Sequence, residues 1–131
     1  MSYVIETKTA PKFPLPFSQG IRAGDFLFLA GQVGVDPETL LPVGETIQEQ
    51  TQQCISNIES ILQEAGLSLD HVVKATTHLR YMEDMPAYNS VYQEVFKPPY
   101  PARTTVVSGL DPYLIEIEVI AYVPSVRGEK S

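Results

Sequence analysis

Two stretches of helical period, each followed by residues of strand period, limit this 131-residue chain to a small set of folds. In the first, Ile47, Thr51, Cys54, Ile55, Ile58, Ile61, Leu62 and Ala65 fall on one helical face. Thr46 and Glu49 precede that face at capping-box spacing, so each side chain can satisfy an orphan backbone N–H of the first turn. Gly66 stands where a left-handed residue ends the helix. The second helix is expected to start near Asp84 as N-cap, to carry an apolar stripe of Tyr88, Val91, Tyr92, Val95 and Phe96, and to stop at Pro98.

The strands have equally distinct patterns. Asp25 to Ala30 is apolar throughout after its first residue and reads as a strand covered on both faces. From Val72 to Tyr81 the residues alternate: Val73, Ala75, Thr77, Leu79 and Tyr81 on one side, Lys74, Thr76, His78 and Arg80 on the other. Arg103 to Val107 is a short β-branched strand. Leu114 to Val123 alternates again, with Ile115, Ile117, Val119, Ala121 and Val123 facing one way and Glu116 and Glu118 the other, beside Leu114, Ile120 and Tyr122. The order is strands, helix, strand, helix, strands, which predicts an α+β layer with both helices on one face of a mixed sheet. The other face carries apolar and charged side chains together, and that combination points to burial between copies of the chain.

The expected organisation is a single domain over 1–131, with an extended N-terminal arm over 1–16 and a loose tail over 124–131. Composition excludes several classes of function. A formal net charge of −7, with the nine Lys and Arg residues scattered, disfavours nucleic acid and anionic membrane surfaces as partners. No apolar run has the length needed to span a bilayer, and residues 1–12 lack the apolar core of a secretory signal. One cysteine rules out an internal disulfide framework and fits a reducing, cytoplasmic setting.

Most candidate chemical groups have a plain structural explanation. His71 and His78 are the only histidines and have no neighbouring ligand at metal-site spacing, so no metal is expected. Cys54 lies on the apolar face of a helix, where a thiol behaves as a small hydrophobe. Gly31-Gln32 reads as a strand terminus, because no phosphate-loop pattern follows it. Arg103 is different. It opens a strand directly after Pro98-Pro99-Tyr100-Pro101-Ala102, and a guanidinium grips a carboxylate through two parallel hydrogen bonds. The alternative for Arg103 is a structural ion pair with Glu116 or Glu118. Those two glutamates share a strand face, where one could hold or deprotonate a water; the alternative is a solvated face.

Four stretches together resemble the RidA (YjgF) family of reactive-intermediate deaminases. They are Pro16-Phe17-Ser18-Gln19-Gly20; Phe28-Leu29-Ala30-Gly31-Gln32 with Asp36-Pro37-Glu38-Thr39; Asn89-Ser90-Val91-Tyr92; and Pro101-Ala102-Arg103-Thr104 followed by Ile115-Glu116-Ile117-Glu118. The likeness runs in order from about Ala10 to Tyr122. It implies a chorismate-mutase-like α+β fold assembled as a homotrimer, with pockets at the subunit interfaces. It also implies cofactor-free hydrolysis of short-lived enamines and imines, such as 2-aminoacrylate and 2-iminopropanoate, to 2-oxo acids and ammonia. By that likeness Arg103 anchors the substrate carboxylate, Glu116 acts on the attacking water, and Asn89 belongs to the pocket. Backbone carbonyls near Gly31 and Thr105 would help to hold the water.

Three positions depart from many family members. Phe17 stands in place of tyrosine, Ala30 in place of serine, and Thr105 in place of cysteine or serine. Losing the hydroxyls at Phe17 and Ala30 makes the expected pocket more apolar and suits a larger or more apolar imine side chain. A second class of reading is a non-enzymatic, carboxylate-binding or chaperone-like trimer. A third, ribonuclease or translation inhibitor, has been attached to relatives and is opposed by the acidic charge.

Overall fold

A computed structural model of the chain describes residues 2–124. The strands are β1 (Ser2–Ile5), β2 (Gly20–Ala23), β3 (Phe26–Leu29), β4 (Gln32–Val33), β5 (Val72–Leu79), β6 (Ala102–Val107) and β7 (Ile115–Tyr122). The helices are α1 (Ile47–Glu64) and α2 (Met85–Val95). One mixed sheet runs β1-β2-β3-β7-β5-β6, with β4 also pairing β7. Only β5 and β6 are parallel, as the α2 crossover between them requires; every other pair is antiparallel. The expected α+β layer is therefore observed.

Helix α1 forms as its sequence dictates. Glu49 N donates to Thr46 Oγ1 at 3.1 Å, and Thr46 N donates to Glu49 Oε1 at 3.2 Å. At the other end Gly66 takes φ +76, so that Leu67 N reaches Leu62 O at 2.8 Å and closes the last turn. Its apolar face enters one core with α2 and the inward residues of β7, where Ile58, Ile61, Leu62, Ile115 and Ile117 are fully enclosed. Polar groups on α1 also tie it to β4 and the residues just after it. Asn57 Nδ2 donates to Val33 O and Val35 O, both at 3.0 Å, and Cys54 Sγ donates to Gln32 O at 2.9 Å. Burial pushes the Cys54 thiol pKa up, so the residue is a packed hydrophobe.

Several expectations need correction. The extended arm expected over 1–16 is not separate from the sheet, because its first residues form β1, which pairs with β2 along its whole length. Only Ile5 of β1 is buried, so this edge strand has no alternating pattern to reveal it. Asp84 precedes α2, but its side chain caps nothing. A 3-10 turn over Met82–Asp84 leads into the helix, and Pro86 removes an N–H that a cap would have satisfied. In β5 a bulge between Val72 and Lys74 turns Val72 inward and leaves Val73 exposed. Tyr81 falls beyond the strand and is exposed. Most consequential is β3, which is covered on one face only. Leu27 and Leu29 are buried, whereas Phe26 and Phe28 remain 41% and 44% exposed. Of the tail expected over 124–131, residues 125–131 lie outside the described residues.

Candidate functional site

Register decides where the candidate residues stand. Ala75, Thr77 and Leu79 of β5 point into the helix-covered core, and their partners on β6 are Arg103, Thr105 and Val107. Arg103 and Thr105 therefore face the helices at the open edge of the sheet. Glu116 pairs with His78 and Glu118 with Thr76, on the opposite, uncovered face. Within one chain the arginine and the two glutamates lie on different sides of the sheet. The alternative ion pair between Arg103 and Glu116 or Glu118 is not formed. Among the described residues no carboxylate lies within 4.0 Å of the Arg103 guanidinium. The nearest partner of Glu118 is His78, at 3.8 Å from its Nε2, while His78 Nδ1 sits 2.7 Å from Ser108 Oγ. His71 is elsewhere, its Nδ1 accepting from Ser68 N at 3.0 Å.

Arg103 is held by aromatic rings instead. Its guanidinium carbon lies 5.0 Å from the centre of the Tyr88 ring and 4.8 Å from that of Tyr92, a distance at which cation and π-face attract. Both tyrosines sit on the buried stripe of α2, and Tyr88 is fixed in turn by a 2.6 Å hydrogen bond between its hydroxyl and Thr77 Oγ1. Burial raises both phenols, Tyr92 to about 12, so they stay neutral beside the cation. A cavity of about 340 Å³ opens over the guanidinium, lined by Asn89, Tyr92, Gln93, Tyr100, Pro101 and Arg103. Two polar atoms of its lining residues, Asn89 Oδ1 and Tyr92 OH, are buried without a hydrogen-bond partner. Buried polar groups are normally satisfied, so such a cluster beside an unpaired cation suits a polar ligand.

Glu116 has a second cavity, of about 330 Å³, whose lining is mainly apolar: Phe13, Leu15, Phe17, Ala30, Gly31, Val33 and Tyr113 surround the carboxylate. The bare backbone at Gly31 leaves room for the Glu116 carboxylate, since a Cβ built on it would overlap that group and force it to move. The break between β3 and β4 at Ala30-Gly31 is what brings that backbone against the acid.

A family model described as Endoribonuclease L-PSP matches residues 7–123. A RutC family protein of Pyrococcus horikoshii is 49% identical over 93% of this chain and 98% of its own length. The chain belongs to the RidA/YjgF family. A 2-iminobutanoate/2-iminopropanoate deaminase of Dermatophagoides farinae is 35% identical over 79% of this chain and 80% of its own. Among solved structures, RidA from an Antarctic Psychrobacter species superposes with a TM-score of 0.87 at 36% identity, covering 92% of this chain and 99% of that one.

The residues that the RidA/YjgF likeness singles out divide between the two cavities. Phe17, Ala30 and Gly31 accompany Glu116; Asn89 accompanies Arg103, and Thr105 lies two residues further along β6. One chain does not bring the two sets together. Sequence reasoning assigned Tyr88 and Tyr92 to the core and overlooked their grip on Arg103. Nothing in a helical stripe marks which of its rings will meet a cation. It also overlooked Phe13, Leu15 and Tyr113. For the first two a signal existed, the strict alternation Phe13-Pro14-Leu15-Pro16-Phe17.

Proposed function

We propose that this RidA/YjgF chain hydrolyses 2-imino acids to 2-oxo acids and ammonia, and does so as a homotrimer in which Arg103 of one copy meets the Glu116 cavity of the next. The observation that carries the reading is Arg103, a guanidinium set against two neutral tyrosines, open to a cavity and, among the described residues, free of any carboxylate. That arrangement suits a small carboxylate ligand bound through two hydrogen bonds. The register supports a second copy, since Arg103 and Glu116 of one chain point from opposite faces. The uncovered face also carries Phe26, Phe28 and Tyr122, with the Phe26 ring edge-on to Tyr122 at 5.8 Å between centres and tilted against Phe28 at 6.5 Å, an apolar surface suited to a partner subunit.

The chemistry asks little of the protein. With the carboxylate anchored, the imine carbon faces a water beside Glu116. Glu116 takes a proton from that water as its oxygen adds to the carbon, and returns the proton to nitrogen. The hydroxyl proton of the resulting carbinolamine then moves to nitrogen, C=O forms, the C–N bond breaks, and ammonia leaves. Carbon, oxygen and both water protons are accounted for, and no electrons change hands, so no cofactor is needed. Positioning supplies much of the rate for so reactive an electrophile. The ribonuclease reading is less well supported: the formal net charge is −7, and the candidate site holds one arginine rather than a basic groove.

The deciding assay generates imines in situ from several amino acids with an amino-acid oxidase and follows 2-oxo acid release with and without the protein. Acceleration over the spontaneous rate is expected; its absence for every imine refutes the enzymatic reading. Light scattering should give about three times the 14.5 kDa chain mass.

A further inference from the structure

The segment Phe13-Pro14-Leu15-Pro16-Phe17 is a built ridge. Leu15 N donates to Phe13 O and Phe17 N to Leu15 O, both at 2.8 Å, which makes two successive three-residue turns centred on Pro14 and Pro16. Proline fixes φ near the value such turns need, so the ridge is set before anything binds. Every second side chain is large and apolar. The ridge is also anchored at both ends by one buried glutamine. Gln19 Oε1 accepts from Thr7 N at 2.8 Å, its Nε2 donates to Pro11 O at 2.8 Å, and its backbone O accepts from Ala30 N at 2.9 Å. The last bond ties the ridge to the Ala30-Gly31 break and hence to Glu116.

We infer that this ridge is the specificity wall of the site and selects 2-imino acids with a bulky hydrocarbon side chain, of leucine or phenylalanine size, over 2-iminopropanoate. The inference rests on the proposed imine hydrolysis and adds the substrate class. A substrate whose reacting carbon lies at Glu116 has carbon-lined walls around it: Phe13, Leu15 and Phe17 from the ridge, with Val33 and Tyr113. A methyl side chain leaves those walls facing water, whereas an isobutyl or benzyl group covers them. Leu15 and Phe17 are 60% and 48% exposed in the single chain, so the surface is there to be covered. Each methylene that a hydrophobic pocket accepts is worth roughly 10–200-fold in kcat/KM.

The test compares kcat/KM for imines generated from leucine, phenylalanine and alanine, in the wild type and in Leu15→Ala, Phe17→Ala and Leu41→Ala. Leu41 is an exposed leucine outside the cavity. The wild-type ratio of leucine-derived to alanine-derived imine is expected to be about tenfold or more, to fall about tenfold in Leu15→Ala and Phe17→Ala, and to hold in Leu41→Ala. Calorimetry with 4-methyl-2-oxopentanoate and pyruvate runs beside it, because binding does not need turnover. Turnover with no side-chain ranking, or a ratio unmoved by Leu15→Ala, overturns the specificity wall and leaves imine hydrolysis standing. No turnover but tighter binding of the larger 2-oxo acid, lost in Leu15→Ala, refutes hydrolysis and supports the wall. No turnover and no graded binding overturns both. If light scattering shows that Leu15→Ala and Phe17→Ala break up the assembly, the ridge is a subunit contact and the inference is wrong.

Discussion

The Arg103 cavity and the Glu116 cavity are similar in size, about 340 and 330 Å³, and opposite in character. The first has a cation, two neutral phenols and unpartnered buried polar atoms. The second has one carboxylate in a hydrocarbon wall. In the proposed reading each alone is half of a catalytic site. An anchor without a base can hold a 2-oxo acid and do nothing to it; a base without an anchor has no means of choosing what it meets. They stand on different faces of one sheet because β6 follows the inward parity of Ala75 and Thr77, while Glu116 follows the outward parity of His78. In the proposed reading, separation of this kind makes activity a property of the assembly rather than of the single chain.

The strongest way to break that comparison is subunit mixing. Arg103→Ala and Glu116→Ala should each be nearly inactive. Co-expressed in equal amounts, they should recover about a quarter of wild-type imine hydrolysis, the share of randomly formed interfaces that receive one intact residue from each side. No recovery from a well-mixed assembly would place both residues in sites formed by a single chain.

Glu116→Gln separates the roles of the two cavities. Its amide is a very poor base, so hydrolysis should fall roughly 10²–10⁴-fold. Calorimetry with pyruvate or 2-oxobutyrate should still give near-normal affinity, because Arg103 remains. Loss of affinity together with activity would make Glu116 part of the anchor.

Arg103→Lys should do the reverse. The charge survives, but the fork that grips a carboxylate and the flat group that stacks on Tyr88 and Tyr92 do not. A loss of about 2–5 kcal/mol in 2-oxo acid binding is expected, with the assembly and the fold intact by light scattering and circular dichroism. Wild-type affinity would move the anchor elsewhere.

Gly31→Ala is a milder perturbation of the second cavity. The new methyl displaces the Glu116 carboxylate, and a misplacement of about 1 Å at a reacting group can cost 10²-fold in rate. Turnover should fall while the affinity for pyruvate changes little; unchanged turnover would show that the carboxylate need not sit where it does. The smallest effect belongs to the scaffold. Thr46→Ala removes the α1 cap and should lower stability by about 1 kcal/mol in urea unfolding, with little change in kcat.

Much of this molecule follows from local rules. The capping box, the left-handed Gly66 and the inward set Ile115, Ile117 and Val119 are consequences of side-chain chemistry acting over a few residues, and the structure has them as the pattern requires. The same rules placed Glu116 and Glu118 on one face and put Arg103 near the start of a strand, which opens one residue earlier at Ala102. They failed where the deciding contact is distant. Asp84 is a good capping residue left idle by Pro86, and Phe26 and Phe28 read as buried because a run of apolar residues does not say how many layers will cover it.

The site marks the limit most sharply. Sequence alone singled out Arg103 and Glu116, by residue type, position and resemblance. Only the tertiary structure decided that they face opposite ways, because parity across β5, β6 and β7 depends on which strands pair, and in what register. Only it decided, too, that Phe13, Leu15 and Phe17 converge on Glu116. That convergence is produced by Gln19, whose side-chain amide accepts from Thr7 N and donates to Pro11 O while its backbone O accepts from Ala30 N, and nothing in the order of amino acids says which distant backbone groups one glutamine will reach.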